Sequence, residues 1–175
     1  MKKYWNYLKY VLEHKKNVFI ECWKVGLYLH AFAHDLSKFR PTEFISYAKR
    51  FYGNEEEKQH GGFELGWLHH QRKNKHHWDY WVNGDGTAVT MPPKYVLQML
   101  CDWKGMSRKF GDTAQAFYKK NRHKMNLTVQ TRCLVEYELS FIDGLCFGSN
   151  VTWDEYLKMN GKDEDEDFAL IMQGR

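Results

Sequence analysis

Proline is scarce, at three in 175 residues. Because proline breaks helix interiors, its rarity leaves long stretches free to follow helical periodicity, and an all-α fold is expected. Cysteine is sparse too. Cys22, Cys101, Cys133 and Cys146 lie far apart with no CxxC pair, which sets aside zinc-finger and disulfide-framework readings. Each falls within a helical pattern and is expected to be a buried, reduced thiol. No run approaches the roughly 20 apolar residues of a membrane span. The start, Met1 to Asn6, leads into an amphipathic helix rather than an apolar leader. No membrane partner is expected, and the cytoplasm is the expected compartment. Phosphate-cradling glycine loops, a GxSxG nucleophile elbow and internal repeats are also missing.

A strong charge of one sign is lacking as well. The net charge is +4, but residues 161–175 hold five acids, Asp163 to Asp167, and two bases. The remainder carries 24 bases against 17 acids, a charge of +7. That is a moderate preference for a small anionic partner and falls short of a nucleic-acid-binding signature.

What is present suffices for a packed core. Hydrophobic residues make up 43% and aromatics 17% of a chain long enough for one domain. The expected division is a helical domain over 1–150, a short helix over 151–160 and an acidic, mobile tail over 161–175. From Tyr4 to Trp23, apolar residues recur at the spacing of an amphipathic helix, and His14 borders the buried face. A second helix is expected from Leu27 to Phe39, a third from Pro41 to about Gly53, and an exposed loop from Asn54 to Gly62. Asn83–Thr87 reads as a turn and Pro92-Pro93 as the start of another helix. Thr113–Asn121 and Thr128–Phe147 read as helical scaffold. A capping box at Thr152–Glu155 opens the short final helix.

Chemistry concentrates in three places. Ala33-His34-Asp35-Leu36-Ser37-Lys38-Phe39 puts imidazole beside carboxylate, a pair that suits a divalent ion. Lys38, one turn on, could meet an anionic substrate. His30 shares the face of His34 and is either a ligand or, as preferred here, a packing neighbour. The second place is His69-His70 and His76-His77, four histidines in nine residues, flanked by Trp67, Trp78 and Trp81. Neighbours on a helix point about 100° apart, so at most one of each pair should aim at a given centre. The third is Asp102, on the apolar face of its helix. A buried carboxylate costs several kcal/mol unless paired or metal-bound, and with so many histidines nearby a metal is the preferred partner.

His14, His34-Asp35 and Asp102, on separate helices, resemble the H…HD…D pattern of the HD-domain metallohydrolase superfamily. Lys38 and the extra histidines further resemble its two-metal branches, which include cyclic-dinucleotide phosphodiesterases. HDLSKF and LHHQxxNxHHW, with the flanking HxxxVF, MP and DW, look like a small family of bacteria and their viruses with no assigned reaction. The glycine- and proline-rich motif of the cyclic-dinucleotide enzymes is missing. Gln71 follows His70 where those enzymes have glutamate, which makes the second metal less secure than the first.

The resemblance implies an HD-like helical bundle in a bacterial or virus-infected bacterial cytoplasm, holding one or two divalent ions (Fe, Mn, Mg, Ni, Co or Zn). His14, His34, Asp35 and Asp102 would hold the first. Asp35, with one histidine from each pair, His70 and His77 being the choice taken, would hold a second. Lys38 and Arg72 would neutralise phosphate oxygens, and His69 or His76, left free of metal, would protonate the leaving oxygen. The expected reaction is hydrolysis of a phosphate ester, a nucleotide or nucleotide phosphodiester. The other readings are di-iron oxygen chemistry and a non-catalytic nucleotide-binding module.

Overall fold

The computed structural model describes residues 1–139. They form an all-α single domain of eight α-helices: α1 (Lys2–Lys24), α2 (Tyr28–Ala33), α3 (Pro41–Tyr52), α4 (Glu55–His60), α5 (Phe63–Lys73), α6 (Pro93–Phe110), α7 (Ala114–Asn121) and α8 (Val129–Glu138). Short 3-10 turns lie at Leu36–Phe39, Trp78–Trp81 and Arg122–Lys124. The turn at Asn83–Thr87 closes an isolated bridge between Val82 and Ala88. Among the described residues no helix is long and apolar enough to cross a membrane.

Helix α1 is the spine, packing along both α6 and α3, and α3 packs in turn on α5. Two of these crossings run through glycine. A Cβ at Gly105 of α6 would lie 2.6 Å from Val18 Cγ2, 2.9 Å from Val18 N and 3.0 Å from Val18 Cα of α1. A Cβ at Gly66 of α5 would overlap Ser46 Oγ of α3. Hydrogen lets the backbones approach where any side chain would hold them apart. The apolar core falls into three groups around these crossings. Tyr7, Val11, Tyr47 and Ala48 join α1 to α3. Val18, Cys22, Ala31 and Cys101 join α1, α2 and α6. Met91, Val96, Leu100, Tyr118, Leu134 and Val135 anchor α6, α7 and α8.

The fold departs from the sequence reading in three places. The helix expected over Leu27–Phe39 stops at Ala33. His34 is extended, and Asp35 takes a left-handed conformation at φ 54°, the single non-glycine residue with positive φ among those described. Aspartate tolerates that region better than most side chains do. The loop expected over Asn54–Gly62 contains α4, started by a capping box between Asn54 and Glu57. Cys22 and Cys101 are free and buried, but Cys133 is disulfide-bonded rather than reduced. Spacing could not reveal this, since no short cysteine motif marks it. Helix α8 ends at Glu138, and the expected continuation to Phe147, the 151–160 helix and the acidic tail lie outside the described residues.

Candidate metal centre

Side chains from α1, α6, α5 and the turn after α5 converge on Asp35. His14 comes from α1 between Val11 and Val18, both fully buried, so the apolar stripe that docks α1 also turns this imidazole inward. Asp102 comes from α6, one turn before Gly105, where the backbone of α6 lies against Val18 of α1. His34 and Asp35 come from the break after α2. On a continuous helix they would diverge by about 100°. The left-handed turn at Asp35 instead points both into the same space.

The result is a compact set of buried ligand atoms. His14 Nε2 lies 3.0 Å from His34 Nε2, 3.2 Å from Asp35 Oδ2 and 3.3 Å from Asp102 Oδ1. His34 Nε2 lies 3.3 Å from Asp35 Oδ2 and 3.6 Å from Asp102 Oδ1. Donors bound at about 2.1 Å to one tetrahedral or octahedral ion stand roughly 3.0–3.5 Å apart, and these pairs lie at or close to that spacing.

The other oxygen of Asp35 faces a second set. Oδ1 lies 3.4 Å from His76 Nε2 and 3.6 Å from His70 Nε2, and His70 Nε2 lies 2.9 Å from His77 Nε2. Asp35, His70 and His77 present ligand atoms close enough to share an ion, as do His14, His34 and Asp35. His76 and His77 also group with Asp102, and His76 groups with His30 and His34. One carboxylate therefore stands between two clusters.

The fit to cations rests on orphaned atoms. Among the described residues, Asp35 Oδ1, His76 Nε2 and Asp102 Oδ1 are buried with no hydrogen-bond partner. Each unpaired buried polar group costs about 1–3 kcal/mol, and several pointing into one space need a common partner. Electrostatics agrees. Burial pushes His34 and His76 well below the ordinary histidine range, and His30 and His77 down to about 4. These imidazoles are neutral, with lone pairs available to a metal. Burial also raises Asp102, against the pull of His14. For Asp35, burial works against ionisation, but the groups around it, the Lys38 ammonium 2.6 Å from Oδ2 among them, outweigh it and hold the carboxylate well below its usual range.

The paired histidines behave differently from each other. In α5 the two rings diverge, as helix geometry requires. His70 points into the cluster, while His69 is a quarter exposed and turns its Nδ1 to Glu43 at 2.6 Å. His76 and His77 lie in the turn after α5, not on a helix, so both rings enter. Arg72 stays outside. It is exposed on α5 two residues from His70, which sets the two about 200° apart around the helix. Trp67 is exposed and lies beside His70 and His77, with ring centroids 5.9 and 5.8 Å away, whereas Trp78 and Trp81 pack on the core of α6 to α8.

One prominent residue had no sequence signal. Glu43 on α3 is fully buried and accepts hydrogen bonds from His69 Nδ1, from His70 Nδ1 at 2.9 Å and from Ser37 Oγ at 3.0 Å. Asn74 completes the network, its side-chain amide donating to Ser37 Oγ and to the His70 carbonyl, each at 2.8 Å. His30 Nε2 lies 3.3 Å from His34 Nδ1, behind the ring that faces the cluster. In sequence, Glu43 is an ordinary acid in a helix's first turn, and only the α3–α5 crossing at Gly66 brings it to His70.

Residues 3–140 match DUF5662, described as a family of unknown function. No curated protein and no solved structure matches the chain.

Proposed function

The chain belongs to the DUF5662 family, and we propose from the site itself that it is an HD-type, metal-dependent hydrolase of a phosphate ester, taking a nucleotide or nucleotide phosphodiester. The observation that carries this reading is the position of Asp35. Its two oxygens face two separate groups of buried imidazoles, with Lys38 alongside. His14, His34, Asp35 and Asp102 would hold one divalent ion, and Asp35, His70 and His77, with His76 beside them, the other. Such ions supply a water of lowered pKa and draw charge from phosphoryl oxygens.

The chain's own groups supply the rest. Lys38 is buried except for a small part of its side chain and keeps its proton, so it meets a phosphoryl oxygen as a fixed positive charge. Burial alone would lower its pKa, but Asp35 and Asp102 more than compensate. His69, its Nδ1–H held by Glu43, would as an imidazolium carry a second proton on Nε2 and pass that proton to the departing oxygen as the P–O bond breaks, returning to the neutral ring. Trp67 offers a ring face on which a nucleobase can stack. Arg72, exposed and turned away, takes no part.

The test is metal content by mass spectrometry on protein purified without chelator, beside Asp35→Ala. About two equivalents, lost in the variant, support the site, and a panel of nucleotides and phosphodiesters is then screened with that metal. No bound metal after reconstitution overturns the proposal. A two-metal protein that turns over nothing in the panel and consumes oxygen with iron bound would move it to redox chemistry.

A further inference from the structure

The two sides of Asp35 differ most in what stands behind the ligands. On the Oδ1 side, three imidazoles join one carboxylate oxygen. Behind His70 lies the buried Glu43 carboxylate, which accepts a hydrogen bond from Nδ1–H and thereby fixes the tautomer that leaves Nε2 bare toward the cluster. Ser37 and Asn74 fix Glu43 and the end of α5 in turn. A carboxylate behind a ligating histidine raises its basicity and removes the need to reorient on binding.

Among the described residues, the Oδ2 side has no such backing. Among them, His14 Nδ1 is buried with no partner, and His34 Nδ1 meets the ring of His30. Lys38 already sits 2.6 Å from Asp35 Oδ2, so a cation arriving there must share its oxygen with a positive charge. Like charges at that separation oppose each other strongly out of water.

On the reading that both clusters hold divalent ions, we infer that the His70–His77 side fills first and binds more tightly, that Glu43 is the positioning residue responsible, and that the His14–His34–Asp102 side is the exchangeable one. This reverses the expectation from sequence, where Gln71 in place of a glutamate made the second metal the weaker. The carboxylate missing after His70 in the chain is supplied in space by Glu43 of another helix.

The experiment titrates metal-free protein with Co²⁺, followed by calorimetry and visible absorption. Wild type should fill in two steps of different affinity. Glu43→Gln, which keeps the size but loses the charge, should weaken the tight step by about 10- to 100-fold and leave the weak one in place. His14→Gln should remove the weak step and leave the tight one. In wild type, substoichiometric Mn²⁺ should broaden the ring resonances of His70 and His77 before those of His14, a readout independent of how well either variant folds. Loss of the tight step in His14→Gln, a Glu43→Gln titration identical to wild type, or earlier broadening of His14 would each overturn the inference. If no ion binds wild type at all, it is the two-ion reading that falls. If two ions bind in the opposite order, only the ranking and the role of Glu43 fall.

Discussion

Replacing Gly105 by alanine should damage the metal centre more than the fold. The added Cβ would stand 2.6, 2.9 and 3.0 Å from Val18 Cγ2, N and Cα. Apolar atoms are content at about 3.5–4.0 Å, so α1 and α6 must part by roughly 0.5–1 Å at the crossing. Two of the three contacts are backbone, and no rotamer change relieves them. Overpacking of this kind costs about 1–3 kcal/mol, and alanine returns about 1 kcal/mol through helix propensity. The net loss in stability is therefore small, about 0–2 kcal/mol. The site lies one turn away on both helices, where His14 Nε2 and Asp102 Oδ1 are 3.3 Å apart. Opening that gap toward about 4 Å asks two donors with bonds of about 2.1 Å to reach one ion from nearly opposite sides. The assay is a urea melt of the metal-free variant beside a Co²⁺ titration of the same preparation. A modest stability loss with a weakening of the His14-side step by tenfold or more is expected. Unchanged affinity at that step would refute the reasoning. Val18→Ala in the same background should restore little, because N and Cα remain in the way.

Gly66→Ala should strike the other side, because Ser46 Oγ lies in the path of its Cβ and Glu43 is one turn from Ser46; the same titration should then show the His70-side step weakened. Lys38→Gln should retain both ions by mass spectrometry but lower kcat on a phosphoester substrate by tenfold or more, while Arg72→Ala leaves both unchanged. In metal-free protein, stability should fall as pH drops from about 6.5 toward 4. In that window the unfolded chain takes up protons that the buried His30, His34, His76 and His77 rings refuse in the folded state. Each ring contributes up to about 1.4 kcal/mol per pH unit, so His30→Gln should make the slope of urea midpoint against pH shallower, and a flat profile down to pH 5 would contradict this.

How much could be read in advance follows from which contacts are local. The helical class was legible because amphipathic stripes such as Tyr4–Trp23 record burial directly, and α1 spans Lys2–Lys24. The inward facing of His14 and Asp102 was legible for the same reason, since each is in phase with buried neighbours. The break at Asp35 was not. Nothing in HDLSKF interrupts helical periodicity, and the left-handed φ at Asp35 shows only in the folded chain. The same holds for His76 and His77, whose pairing looks helical until the chain is seen to turn after Lys73.

Glu43 and the two crossing glycines mark the limit of single-chain reasoning more sharply. An acid in the first turn of α3 has a sufficient local explanation, since it complements the positive end of the helix. Local sufficiency is what hides its second role, because a residue already explained raises no question. Gly66 and Gly105 raise one faintly, each lowering helix propensity by about 1 kcal/mol where alanine would serve. That unexplained cost points to a close approach by another backbone. Each glycine stands one turn from a charged or imidazole group of the site, Gly66 from His70 and Gly105 from Asp102. A small residue inside a helix and a polar residue one turn away on the buried face therefore mark, together, where two helices close on shared chemistry.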